Sequence, residues 1–177
     1  MKKLKLLKIL SLLLYIFYVF SVIFMILIKK YNYSAICAGC IVINFILNLL
    51  NKKFTYLFND ALVILLELFV LFSLVLGTSY GGYKINHYDD VLHICSGVIG
   101  SVIAYIIINL YTNKEIRENI KTVFFGIFIF MFSVAIGNLW EVLEFVLDVM
   151  FKINCQAGGL NDTMLDMIDG IIGAIIS

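Results

Sequence analysis

Long apolar runs, broken at short intervals by Lys, Asn, Tyr and Gly, repeat along this chain. Six of them, 7–28, 34–50, 58–78, 89–111, 122–150 and 161–177, read as candidate spans. A helix rising about 1.5 Å per residue needs roughly 20 residues to cross a hydrocarbon core of about 30 Å. The pattern predicts an all-α fold, a polytopic transmembrane helix bundle. Connections are short and no Pro/Gly/Ser-rich linker or internal repeat is evident, so residues 1–177 read as a single domain. The first run is too long for a signal peptide and no small-residue cleavage site follows it, so it is expected to be retained. The last run is the weakest. Asp162 to Ser177 would extend only about 24 Å as a helix, which leaves several readings open: a start near Gly159, a thinned bilayer, a re-entrant path, or a chain ending short of its natural terminus.

Composition supports the same class. The hydrophobic fraction is 63%, with a mean hydropathy of +1.05, against about 45–50% apolar residues in soluble domains. The net charge of +1 says little, but the distribution of positive charge says more. With a cytoplasmic N-terminus, Lys2, Lys3, Lys5, Lys8, Lys52, Lys53, Lys114, Arg117 and Lys121 fall inside, and only Lys29, Lys30, Lys84 and Lys152 fall outside. That bias fits the positive-inside rule, and richness in Ile, Lys, Asn, Phe and Tyr with no proline suggests a bacterium with an AT-rich genome, so the expected location is integral to the bacterial cytoplasmic (inner) membrane. Tyr31, Tyr33, Tyr56, Tyr80, Tyr83, Tyr111 and Trp140 lie near span ends, as an interfacial aromatic belt would. The basic residues flank spans, so nothing points to nucleic acid; membrane lipids are the expected surroundings. No P-loop, GxGxxG, HExxH or serine nucleophile elbow is present.

The informative residues are acidic. From Tyr88 onward the apolar runs carry three clusters and no Lys or Arg: Asp89-Asp90-x-x-His93, Glu141-x-x-Glu144-x-x-x-Asp148 and Asp162-x-x-x-Asp166-x-x-Asp169. An aspartate at a helix centre costs roughly 2.5–3.5 kcal/mol on insertion scales, so such groups mark a functional site by default. With the N-terminus inside, all three clusters come to the outer leaflet. Each shares a helical face with small residues: Asp89, His93, Gly97, Gly100 and Ala104; Ser133, Gly137, Glu141, Glu144 and Asp148; Asp162, Asp166, Asp169 and Gly173. The expected picture is three helices packed closely through their inner halves and opening outward around a carboxylate-lined pocket.

Simpler readings compete. Asp90 and Asp162 stand where helix caps belong, and Thr163-x-x-Asp166 resembles a capping box. Capping does not account for Glu141, Glu144 and Asp148, which approach a helix C-terminus where the dipole disfavours negative charge. Protons or a divalent cation would neutralise them. Carboxylates from several helices plus one imidazole form a ligand set suited to Mn, Fe, Zn or Mg. Candidate metal ligands are His93, Glu141, Glu144, Asp162 and Asp166, with Asp162 at the entrance. Asp89 and His93 are candidate catalytic residues, Asp89 orienting the imidazole. His87 reads as a loop residue. Glu67, in the middle of the third span, reads either as a partner of a neighbouring helix or as a contributor to the site; the first three spans otherwise read as lipid-facing. Cys37-x-x-Cys40 beside Ala38 and Gly39 reads as helix packing rather than redox chemistry, and Cys155 as an outer-loop thiol able to form a disulfide.

At these residues the sequence resembles the YjdF-like family of bacterial integral membrane proteins. The resemblance runs from Tyr88 to Ala174. It is carried by Tyr88-Asp89-x-x-x-His93-x-x-x-Gly97, Glu141-x-x-Glu144, Gln156, Asp162-Thr163-x-x-Asp166-Met167 and Gly173-Ala174. Leu160-Asn161 departs from it, since the family pattern places an aromatic residue before the aspartate. A more distant similarity is to the VanZ-like family, associated with glycopeptide-antibiotic tolerance. The resemblance implies the architecture and the residues that matter, and no particular reaction.

Three functions remain in play. The first is an enzyme, hydrolase or transferase, with an acidic, metal-binding site at the outer leaflet and a lipid-linked or small-molecule substrate. The second is a cation- or proton-coupled transporter, and the third a non-catalytic membrane partner subunit. The inner halves of spans four to six are Gly, Ala, Ile and Phe, with no acidic path across, which favours the enzyme over the transporter.

Overall fold

The structure, a computed structural model, describes residues 2–151, 156 and 158–177. It is helical, with no strand among the described residues: α1 (Lys2–Leu27), α2 (Tyr31–Lys53), α3 (Asp60–Val70) continuing as a π-helical stretch (Leu71–Ser79), a 3₁₀ turn (Gly82–Lys84), α4 (Tyr88–Tyr111), a short α5 (Lys114–Asn119), α6 (Thr122–Phe151) and α7 (Leu160–Ile176). Five of these segments are long and apolar enough to cross a membrane: Lys8–Leu27, Tyr31–Lys53, Asp60–Ser79, Tyr88–Tyr111 and Thr122–Met150. The sixth, α7, is an unbroken helix of 17 residues, about 26 Å long. It starts immediately after Gly159, whose φ of 68° and ψ of −153° lie in a region open in practice only to glycine.

The chain forms two compact units, residues 1–88 and 89–177. In the first, Leu14, Tyr18, Met25, Cys37, Cys40 and Val75 make the core. Both cysteines are buried and unbridged, and the Cys37 thiol donates to Ser79 Oγ at 3.5 Å, which fits the packing reading. Asn59 caps α3 by accepting from the Leu62 N–H at 3.0 Å. The π-helical stretch spaces backbone bonds by five residues, as in Tyr80 N–H to the Val75 carbonyl at 2.9 Å. Hydroxyls follow the same spacing there: Thr78 donates to the Ser73 carbonyl at 3.3 Å and Ser79 to the Leu74 carbonyl at 3.1 Å. A regular α-helix had been expected through 58–78; π segments are rare and favour functional or strained positions.

The first three spans are less uniformly lipid-facing than their apolar sequence implies. Glu67 is only 1% exposed, and its Oε1 accepts from Ser11 Oγ of α1 and Asn48 Nδ2 of α2, each at 2.7 Å. Tyr18 Oη donates to the Glu67 carbonyl at 3.1 Å. Of the two readings left open for Glu67, the structure gives the partnership with neighbouring helices. In hydrocarbon each of these polar groups would be costly alone, so the three helices hold one another through them.

In the second unit α4, α6 and α7 carry the acidic clusters. His87, exposed and at φ 63°, immediately precedes α4, in keeping with a loop residue. Lys152 and Cys155 lie outside the described residues, and with Cys155 the expected outer-loop disulfide.

Candidate metal centre

Glycine lets the second unit close. A Cβ built on Gly97 would collide with the Gly170 carbonyl oxygen, and one on Gly173 with the Ile94 carbonyl oxygen. Backbone therefore meets backbone between α4 and α7, as small residues permit in lipid. Against α6, Ser133 Oγ donates to the Gly97 carbonyl at 2.6 Å, and Ser101 Oγ donates to the same oxygen at 3.1 Å. A Cβ on Gly100 would lie 2.7 Å from Ser133 Oγ. These contacts fix a register in which α7 runs parallel to α4 and α6 antiparallel to it.

One turn before Gly97, the same register brings the acidic residues together. His93 Nε2 lies 3.5 Å from Asp89 Oδ1 and 3.6 Å from Asp166 Oδ1, and His93 Nδ1 lies 3.7 Å from Glu141 Oε1. The imidazole is thus surrounded by carboxylates from α4, α6 and α7. Asp89, His93 and Asp166 each offer a donor atom, all within 4.8 Å of one another. These gaps exceed a hydrogen bond of about 2.7–3.2 Å. The two gaps at Nε2, 3.5 and 3.6 Å, are near those of a shared cation: donors about 2.1 Å from one ion stand about 3.0 Å apart in octahedral and about 3.4 Å apart in tetrahedral geometry. Glu141 is 4% exposed, and neither of its carboxylate oxygens accepts a hydrogen bond from the described residues. A carboxylate so placed needs a positive or donating partner.

Three further acids accept hydrogen bonds near the ends of α6 and α7. Glu144 Oε1 accepts from Trp140 Nε1 at 2.8 Å, Asp148 Oδ2 accepts from the Gln156 N–H at 2.9 Å, and Asp162 Oδ2 from the Gly158 N–H at 3.2 Å. Gln156 Nε2 also donates to the Glu141 carbonyl at 3.4 Å. Asp162 therefore braces the turn into α7, although the cap residue itself is Gly159. Asp162 and Glu144, both expected as ligands, have these bonds, while Asp89, expected to orient His93, stands with the imidazole and Asp166. The Trp140–Glu144 bond was readable as an i, i+4 pair. The Asp148–Gln156 bond depends on the return of the chain after α6 and leaves no periodic signal.

No curated protein and no solved structure matches the chain. A family model described as "Predicted membrane protein (DUF2238)" matches residues 10–177. Spanning nearly the whole sequence, and together with helices of membrane-crossing length, it places this membrane protein in that family.

Proposed function

We propose that this chain is a metal-dependent hydrolase or transferase of the bacterial cytoplasmic membrane, acting on a lipid-linked head group at the outer leaflet. The observation that carries the reading is the approach of Asp89, His93 and Asp166 from two helices to within 4.8 Å of one another. Asp89, Asp166 and His93 Nε2 would hold the ion. A divalent cation bound there supplies Lewis acidity and a water of lowered pKa. Glu141, buried beside Nδ1, would either steady the Nδ1–H, as carboxylates do behind metal-ligating histidines, or take the proton of the attacking water. Glu144 and Asp162 flank the entrance. The YjdF-like placement belongs to the same reading, as does the outer-leaflet position, which rests on the inside bias of Lys and Arg.

Close packing supports an enzyme over a transporter. Beyond the cluster, α4, α6 and α7 meet through Gly97, Gly100, Ser133 and Gly173, and past Asp169 the described residues of these helices carry no further carboxylate. The test is elemental analysis of detergent-purified protein. Wild type should retain about one divalent metal per chain, and His93→Ala should lose it. Metal-free wild type, with an activity indifferent to chelators, would remove the proposal.

A further inference from the structure

The second unit contains a groove of about 610 Å³ along α6 and α7, within the roughly 300–1,000 Å³ usual for ligand sites. Along α6 it runs from Asn138 to Val149, roughly 16 Å at 1.5 Å per residue. Its walls include Val142, Phe145, Val149, Leu160 and Met167, and the first four of these are exposed. Glu141 is the point of continuity. It lines the groove and also stands 3.7 Å from His93 Nδ1. The groove therefore adjoins the cluster.

We propose that this groove holds the hydrocarbon tail of a membrane lipid whose head group reaches the Asp89–His93–Asp166 cluster. The inference rests on the enzyme reading above and adds the path by which substrate arrives: sideways from the bilayer. Two features select this occupant. Exposed apolar walls on helices of membrane-crossing length favour hydrocarbon over water. Glu141, which lines the groove and stands 3.7 Å from His93 Nδ1, leads the polar end of the occupant toward the cluster, and among the described residues the groove's charged side chains, Glu141 and Asp148, are both acidic. Asn138, Gln156 and Thr163 line the same groove and offer neutral hydrogen-bonding groups to the polar part of the lipid.

The test uses the full chain in phosphatidylcholine vesicles containing a trace of phosphatidylcholine with a diazirine in its tail. After illumination, label should concentrate on Val142, Val149 and Met167, several-fold above Val123 and Ile127, which are exposed on the same helix. Val142→Trp should fill the groove and sharply reduce labelling of Met167, whereas Val123→Trp should leave it unchanged. Even labelling along α6, indifference of Met167 to Val142→Trp, or a groove found covered by a second copy or another protein would each overturn the inference. Metal content of the same samples separates the two proposals. Metal retained without groove labelling sinks only the lipid path; groove labelling without metal sinks the enzyme reading.

Discussion

His93 Nε2 and Asp166 Oδ1 lie 3.6 Å apart although they stand on different helices, and glycines bring them there. Gly97 and Gly173, one and two turns inward, let α4 and α7 touch through backbone. The geometry of the cluster depends on the packing at the glycines.

Adding one methyl group to that contact should therefore be felt at the cluster. Gly173→Ala has a carbonyl in its way, whereas a Cβ on Gly170 meets nothing within 4 Å. We expect Gly173→Ala to destabilise by about 1–3 kcal/mol, the usual cost of overpacking, and Gly170→Ala to be near neutral. Thermal unfolding in detergent compares the two. Equal effects would show that the close approach does not govern stability.

Trp140 is the sole tryptophan of the chain, and its indole donates to Glu144. Its fluorescence therefore reports on that carboxylate. Metal held by Asp89, His93 and Asp166 should leave the emission nearly unchanged on titration, whereas Glu144→Ala should shift it. Glu144→Gln should retain metal, and Asp166→Asn should lose at least about tenfold in affinity, the lower end of the 10–100-fold typical even for residues behind the ligands. Quenching or shift of Trp140 emission in step with metal binding would place Glu144 among the ligands instead.

Protons and metal compete for the same donors, since carboxylate and imidazole bind metal in their deprotonated forms. Metal affinity should therefore be retained at neutral pH and fall as the solution is acidified. Equilibrium dialysis against a metal buffer across pH checks the sign. Affinity that rises on acidification would contradict ligation by these side chains.

Glu67 offers a contrast between substitutions in the first unit. Glu67→Gln keeps a carbonyl oxygen for Ser11 and Asn48 and should cost little. Glu67→Ala takes the acceptor from the Ser11 hydroxyl, at about 1–3 kcal/mol for a buried group left unpaired, while Asn48 Nδ2 still reaches the Asn44 carbonyl at 2.9 Å. Neither should change metal content, because the cluster is built from residues of the second unit. Detergent melting curves and elemental analysis together decide it, and loss of metal in Glu67→Gln would contradict the assignment.

Much of this architecture was legible because hydropathy and length fix where a helix can cross a bilayer. The runs 34–50 and 89–111 became α2 (Tyr31–Lys53) and α4 (Tyr88–Tyr111) with ends shifted by only a few residues. The convergence of His93, Glu141 and Asp166 was legible too, since an acidic stripe on an apolar helix must face something other than lipid. The π-helical stretch was not, because a five-residue backbone spacing differs little from a four-residue one in side-chain periodicity. Ser11 and Asn48 were passed over for a related reason. A single small polar residue on an apolar helix carries no stripe, and its meaning appears only when Glu67 is seen beside it. The division of labour among the carboxylates depends on where Trp140, Gly158 and Gln156 come to rest, which is set by tertiary packing rather than helical period.

The central claim, that an imidazole and carboxylates from separate helices share one cation, is tested most directly by X-ray absorption of the zinc-loaded protein. The account predicts imidazole scattering beside oxygen ligands at about 2.0–2.2 Å, with the imidazole contribution lost in His93→Ala. A zinc spectrum without imidazole scattering, or one unchanged by His93→Ala, would contradict it.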